Sequence, residues 1–318
     1  MDFIGALDIG SNTVKLAVYE TDGTVFTLVH EACRTTRLGE GLCARLLASE
    51  SCQRTATAIR QILATARAHF PQMKLVGVAT SAVRESDNGQ DFLSEVANRC
   101  HLERLPLTLT GEQEAELTFR GASLSFSNSQ YFLNIDPGGG STECAYGQAG
   151  DAPTLSRSLK IGCGRWCERY GLAGRSYPKQ LEHAYEAAVE IFHAFRQDWG
   201  EALPSSNLST SVTGGTAHAV ASLLAEKVYP FEQPMPPVQR EAMHPLLYRL
   251  AAMDIQTRQA QRGMPEARSA IMPAGIIIIL AALEVFNAPV FLPNPYGLRA
   301  ALVRAAHLGK LPLLLKGE

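Results

Sequence analysis

No cysteine pair in this chain is spaced as CxxC, and no GxxxxGK[ST], HExxH or GxSxG is present. The chain therefore lacks the marks of a two-pair zinc module, a P-loop nucleotide hydrolase, a zincin protease and a serine-hydrolase elbow. Neither sign of charge dominates: 29 Lys and Arg against 31 Asp and Glu give a net charge of −2. No global field draws the molecule to nucleic acid or to a membrane, so any polyanion must be met by a local patch. The most apolar stretch, Ile271 to Leu283, contains Pro273 and Gly275 and ends at Glu284. It falls short of the roughly 20 residues a bilayer requires and reads as a buried helix.

Seven cysteines (Cys33, Cys43, Cys52, Cys100, Cys144, Cys163 and Cys167) are odd in number and scattered. With an N-terminus that enters an apolar strand without a signal peptide's charged region, they indicate a reducing, cytoplasmic setting. Cys163 and Cys167, spaced CxxxC without a second ligand pair, read as buried thiols or a helix start.

What the chain does have is 318 residues, 46% of them hydrophobic, enough for two domains with real cores. Alternation predicts a three-strand meander over Phe3–Ile9, Val14–Tyr19 and Val25–His30. A helix over Ser51–Phe70, a strand over Lys74–Ala79, a helix over Gln90–Arg99, a strand over Leu105–Leu109 and a helix from Glu112 follow. Tyr131–Ile135, Glu143–Tyr146 and Thr154–Ile161 then repeat the meander. Helices are expected over Leu181–Trp199, Ala217–Lys227, Val238–Met253 and Pro265–Phe286, with strands at Leu208–Val212 and Val290–Leu292 and a last helix from near Gly297. The proline-rich segment Pro230–Pro237 reads as a rigid surface connection.

The repeat is visible in the letters. Asp8-Ile9-Gly10-Ser11-Asn12-Thr13 and Asp136-Pro137-Gly138-Gly139-Gly140-Ser141-Thr142 each follow an apolar strand, with the two aspartates 128 positions apart. We expect an α/β protein of two similar lobes facing a central cleft, one over residues 1–125 and one over 126–318, with a final helix at about 297–318 packing back on the first.

Small residues that turn a strand directly into the next leave backbone N–H groups pointing outward, where they cradle phosphate oxygens. Val212-Thr213-Gly214-Gly215-Thr216 adds a strand-to-helix version of the two duplicated turns. Carboxylates beside such cradles suit Mg²⁺, a hard cation that keeps several waters, and Asp136 with Glu143 is the natural pair. Glu112, Glu114 and Glu116 open a helix, where the dipole favours negative charge, and one of them directed inward is placed to take a proton from an attacking water. Spacing does not choose among the three. The basic residues near turns are Arg37, Arg84, Lys160, Arg165, Arg268 and Arg299, and spacing assigns none of them. If several converge, they neutralise a phosphate chain. No covalent nucleophile is apparent, which leaves water as the attacking group.

The ordered motifs Asp8 to Asn12, Arg37 to Leu42, Thr80 to Arg84 with Asn88, Gly111 to Ala115, Asp136 to Glu143, Gly162 to Arg165, Thr213 to Thr216 and Gly297 to Arg299 resemble those of the exopolyphosphatase / guanosine pentaphosphate phosphatase (Ppx/GppA) family. The resemblance runs nearly end to end. It implies the ribonuclease H-like, actin-like and sugar-kinase superfold, a short two-domain form and a homodimer. It also implies Glu114 as catalytic base, Arg84 facing the phosphates, and Asp136, Gly138 and Glu143 at a metal position for Mg²⁺, or alternatively Mn²⁺. Phosphate binding then falls to Asp8, Gly10, Ser11, Asn12 and Thr13, to Gly138, Gly139, Gly140, Ser141 and Thr142, and to Gly214, Gly215 and Thr216, with Arg37, Arg165 and Arg268. Two departures from the family pattern stand out: Pro137 replaces an aliphatic residue, removing one N–H, and no acidic residue follows Arg268 at the second place.

The activity so implied is release of terminal orthophosphate from inorganic polyphosphate by water. Three alternatives stand beside it: removal of the 5′ γ-phosphate of pppGpp, phosphotransfer from polyphosphate to ADP, and non-catalytic sensing of an alarmone such as guanosine penta- or tetraphosphate.

Overall fold

The computed structural model describes residues 1–42, 45–204, 208–230 and 232–310. Cys43, Phe231 in the proline-rich segment and the last eight residues of the expected final helix lie outside these. The chain divides into two units, one of Met1–Leu117 with the segment from Leu298, the other of Thr118–Gly297.

In the first unit, strands β1 (Asp2–Ile9), β2 (Thr13–Thr21) and β3 (Phe26–Thr35) form the meander, followed by α1 (Ser49–His69), β4 (Lys74–Ala79), the one-turn α2 (Ser81–Arg84), α3 (Gly89–Cys100), β5 (Leu107–Thr108) and α4 (Gly111–Ala122). The division between units falls inside α4. The sheet runs β3-β2-β1-β4-β5, antiparallel across the meander and parallel from β1 to β5. One stripe of α1, including Ile59, Ile62, Leu63 and Ala66, is buried in a core shared with Leu7, Ile9, Leu16 and Val18 from the sheet and Phe92, Leu93 and Val96 from α3.

The second unit repeats this plan with β6 (Tyr131–Pro137), β7 (Thr142–Gln148), β8 (Leu155–Leu159), α5 (Cys163–Tyr170), α6 (Pro178–Trp199), β9 (Thr210–Thr213), α7 (Gly214–Leu224), β10 (Val238–Gln239), α8 (Arg240–Ala251), α9 (Ile255–Gln259), α10 (Met272–Val285) and β11 (Val290–Asn294). Its sheet runs β10-β11-β9-β6-β7-β8. With the edge strand β10 set aside, β8-β7-β6-β9-β11 retraces the order β3-β2-β1-β4-β5, so one topology is used twice. From Met272 to Leu283 every residue of α10 is buried. A helix apolar all round has no solvent face to offer and forms the centre of a core. Among the described residues no helix is long and apolar enough to cross a membrane.

The chain ends its described course in α11 (Leu298–His307), which packs on β1 of the first unit. There Arg299 donates to Glu31 of β3 at 2.5 Å. Burial alone depresses the guanidinium's pKa, but the charge of Glu31 and its hydrogen bond outweigh it, and the pKa is raised.

Two expected helices are shorter than their apolar patterns. Val238 and Gln239 pair with Phe291 and Val290 of β11, and the helix starts only at Arg240. The stretch from Pro265 breaks into a single 3₁₀ turn at Glu266–Arg268, and α10 begins at Met272, where Pro273 occupies the first turn and needs no N–H partner.

Candidate active site

The first duplicated turn joins β1 to β2 and is closed by the Gly10 N–H donating to the Thr13 carbonyl at 3.0 Å. The segment after β3 folds back on it: Thr36 and Arg37 N–H groups donate to the Asn12 carbonyl, and Gly39 N–H donates to the Ser11 carbonyl. The Ser11 hydroxyl accepts from the Ala82 N–H of α2 at 3.1 Å. Arg37 thus braces the turn with its backbone, at φ 48°, while its guanidinium pairs with Glu40 at 3.5 Å and is half exposed. Asp8 stands at the end of β1, opposite Lys15.

In the same unit β4 leads into α2, which ends on Arg84. The Arg84 guanidinium donates to the Leu109 carbonyl at 3.0 Å and to the Glu114 carboxylate at 2.7 Å. Both side chains are mostly buried. Glu114 is placed by a capping box, in which the Gln113 side chain accepts from the Thr110 N–H and the Thr110 hydroxyl accepts from the Gln113 N–H. This sets the phase of α4, leaving Glu112 exposed, Glu116 half-buried and Glu114 inside.

The second duplicated turn closes as the first does, Gly138 N–H to Ser141 carbonyl at 2.9 Å, and is likewise braced by the segment after its third strand. Cys163 N–H donates to the Gly138 carbonyl at 2.8 Å, and Gly164 and Arg165 N–H groups donate to that of Gly139 at 2.9 and 3.1 Å. The Arg165 guanidinium takes the Gly140 carbonyl at 2.8 Å. This closeness needs glycine at 162, where a Cβ would lie 2.4 Å from the Gly140 backbone. With three successive carbonyls held by α5, the N–H groups of Gly139, Gly140 and Ser141 donate to no acceptor among the described residues, which leaves them the chemistry of an anion cradle. The Thr142 hydroxyl is spent on the Ile161 carbonyl. Pro137, where the chain has no N–H to give, is the last residue of β6 and sits opposite Thr142.

Asp136 and Glu143 are direct partners across the β6–β7 ladder. Glu143 is buried, and one of its oxygens accepts from the Ser158 hydroxyl at 2.7 Å. Two carboxylates directly opposite each other repel, and a divalent cation relieves that repulsion. Among the described residues no group of three or more His, Cys, Asp or Glu side chains is arranged to hold a metal. Two carboxylates beside amides that have no acceptor of their own nevertheless fit the chemistry of Mg²⁺, which completes its shell with water and ligand oxygens.

The third turn opens α7 at Gly214, whose φ is +85° and whose added Cβ would lie 2.6 Å from the Asp136 carboxylate. A Cβ on Gly215 would meet the Arg268 guanidinium at 2.6 Å. The buried Arg268 donates to the Thr216 hydroxyl at 3.1 Å. Behind the two turns, Asn134 of β6 accepts from Ser211 and donates to Thr213 of β9, fixing their spacing.

Within the second unit, then, Asp136 lies against Gly214, and Arg268 lies on Gly215 and Thr216. Arg165 is bound to the glycine turn. In the first unit Arg84 and Glu114 form one pair, and Asp8 and Gly10 to Thr13 belong to the braced turn. Lys160 is exposed, and Arg299 is engaged with Glu31. Sequence reasoning passed over Ser158 and Cys163 as parts of the site. Ser158 was findable, since continuing the meander register puts it opposite Glu143. Cys163 and Cys167 are both buried in α5, with Cys163 as its first residue.

Comparison with known proteins places the molecule. Its fold is that of an exopolyphosphatase from Cytophaga hutchinsonii, with a TM-score of 0.86 at 20% identity over 97% of this chain and 98% of that one. A Ppx/GppA family member from Aquifex aeolicus aligns with a TM-score of 0.76 at 21% identity over 98% and 99% of the two chains. In sequence it is 28% identical over 292 residues to a guanosine-5′-triphosphate,3′-diphosphate pyrophosphatase of Photobacterium profundum, and 28% identical over 290 residues to one of Vibrio campbellii. These alignments cover 89% and 88% of this chain, which spans about half the length of the curated relatives it matches, 54% in both cases. The family model for Ppx/GppA phosphatases matches residues 17–305, and the chain belongs to the Ppx/GppA phosphatase family.

Proposed function

We propose that the protein is a phosphoric anhydride hydrolase that removes terminal orthophosphate from linear inorganic polyphosphate by attack of water. The observation that carries this reading is the second turn. Its carbonyls are drawn inward by α5, its amides are left for an anion, and two opposed carboxylates stand at its ends. The N–H groups that this turn leaves without an acceptor suit phosphate oxygens, which suffices for a substrate made only of phosphates.

In this mechanism the amides of the duplicated turns, with Gly214 to Thr216 and Arg268, bind and orient the terminal phosphates. Asp136 and Glu143 would hold Mg²⁺ or Mn²⁺, which when bound offsets the phosphate charge. Glu114, kept in place by Arg84, accepts the proton of the attacking water as its oxygen bonds to the terminal phosphorus and the bridging P–O bond breaks. Orthophosphate and a chain one phosphate shorter leave.

A second reading, hydrolysis of the 5′ terminal phosphate of pppGpp, draws its support from the guanosine-5′-triphosphate,3′-diphosphate pyrophosphatases matched over most of this chain. The bond broken is of the same kind, and the same residues serve.

Glu114→Gln tests the mechanism. The variant should fold and bind substrate while turnover falls by roughly 10²–10⁴, and normal turnover removes the assignment. Phosphate release from tripolyphosphate, long polyphosphate and pppGpp ranks the substrates. Labelled phosphate recovered in ATP when ADP is present would instead show phosphotransfer, and tight binding without turnover would show a sensor.

A further inference from the structure

Cys163 is the first residue of α5 and fully buried. Its amide holds the Gly138 carbonyl of the second turn. Its thiol lies 3.5 Å from the Pro137 carbonyl, to which it donates, and 3.5 Å from the Thr216 hydroxyl of the third turn. Thr216 in turn accepts from the Arg268 guanidinium at 3.1 Å. Because the guanidinium only donates and the Pro137 carbonyl only accepts, the protons in this chain order in one direction: Arg268 to Thr216, Thr216 to Cys163, Cys163 to Pro137. A hydrogen-bond chain that starts on a cation polarises each member in the same sense. Space for it is reserved by Gly275 of α10, where a Cβ would meet the Thr216 methyl at 2.5 Å and the Cys163 sulfur at 3.3 Å.

We propose that Cys163 is a positioning residue that locks the second turn, the third turn and Arg268 into one phosphate-binding arrangement. It touches no substrate. Its effect is to hold the amides of one turn at a fixed spacing from the guanidinium over the other, a spacing that neither turn sets for itself. The link of this lock to catalysis rests on the proposed hydrolase reading; the lock itself does not.

Two variants and one control test it. Cys163→Ala removes both thiol contacts, Cys163→Ser retains a donor and an acceptor at the same place, and Cys167→Ala removes a neighbouring buried thiol whose partner is the Ala270 carbonyl. Cys163→Ala should raise KM for tripolyphosphate about tenfold with kcat within about threefold, because ground-state phosphate binding is what loosens. Cys163→Ser should restore KM to within about threefold of wild type, and Cys167→Ala should leave it unchanged. A Cys163→Ala enzyme that loses active fraction or melts earlier with KM unaltered has lost only packing, and the proposal falls.

Native hydrogen exchange on the peptides containing Gly138 and Cys163–Arg165 gives a readout that needs no substrate. These amides should exchange about threefold or more faster in Cys163→Ala and near the wild-type rate in Cys163→Ser. Unchanged exchange overturns the lock whatever the enzyme hydrolyses. Inactive wild-type protein with the exchange pattern intact instead overturns the hydrolase reading alone.

Discussion

Glu143 stands directly opposite Asp136 across the second hairpin, whereas the position that repeats it in the first hairpin, opposite Asp8, holds Lys15. One scaffold used twice carries a charge-balanced pair in one copy and a like-charged pair in the other. Facing like charges repel, and in the proposed reading this second pair is the one that a divalent cation would hold together. Glu143→Gln should therefore raise the half-activating Mg²⁺ concentration about tenfold or more while keeping the bond to Ser158. In chelator the same variant should melt at or slightly above wild type, by up to about 0.5 kcal/mol, since one repulsion is gone. An unaltered Mg²⁺ requirement removes Glu143 from the metal position.

Gly215 opens a helix in which alanine is the better former by about 1 kcal/mol, yet its Cβ would meet the Arg268 guanidinium at 2.6 Å. The guanidinium is the far end of a flexible side chain and will move. Gly215→Ala should thus leave the melting temperature near wild type while breaking the Arg268–Thr216 bond and raising KM several-fold. Thermal unfolding and steady-state kinetics on the same preparation check both halves. A variant unchanged in KM shows that the seat of Arg268 does not matter to substrate.

The parts of the fold legible from the chain are those governed by local period. Alternation found both meanders, and the uninterrupted apolar run from Ile271 found α10, because burial on every face leaves no polar stripe. What escaped depends on partners distant in sequence. β10 is two residues long and exists through its pairing with β11, and the Arg268 to Pro137 chain joins four segments that no spacing rule connects. Choosing among Glu112, Glu114 and Glu116 fell between these cases. The Thr110 and Gln113 capping box marks where the helix begins, but not which carboxylate turns toward the core, and Glu114 is singled out only through the family resemblance.

The cysteines should react in an order set by burial and by thiol pKa. Cys33 and Cys52 are both half-buried, and the pKa of Cys52 is raised first by burial and then by Glu95. Burial also pushes up the pKa of the Cys144 thiol, assisted by Glu143 and Asp136, and that of Cys163, where Arg268 opposes the effect. Alkylation of native protein should mark Cys33 before Cys52, and Cys144 and Cys163 only after unfolding. Site-resolved mass spectrometry decides this, and Cys43, outside the described residues, is followed separately. Early modification of Cys163 would contradict its place in the core.

Elsewhere in the second unit, Tyr185 of α6 donates to the Glu284 carboxylate at the end of α10. Burial, then the bond to Glu284 and its charge, raise the Tyr185 pKa above its ordinary value of 10.0, with Arg240 opposing. A phenol whose pKa is higher folded than unfolded binds its proton more tightly in the native state. Its contribution to stability is full below the unfolded pKa and is lost as pH rises above it. At about pH 8, Tyr185→Phe should therefore be less stable than wild type by about 1 kcal/mol, the worth of one hydrogen bond. Above about pH 10 the difference should shrink, because only wild type has that phenol to ionise. Other tyrosines and lysines titrate in both proteins, so the difference between the two melting curves across pH isolates this contact. A gap that stays constant or widens toward alkaline pH would show that Tyr185 contributes through packing alone.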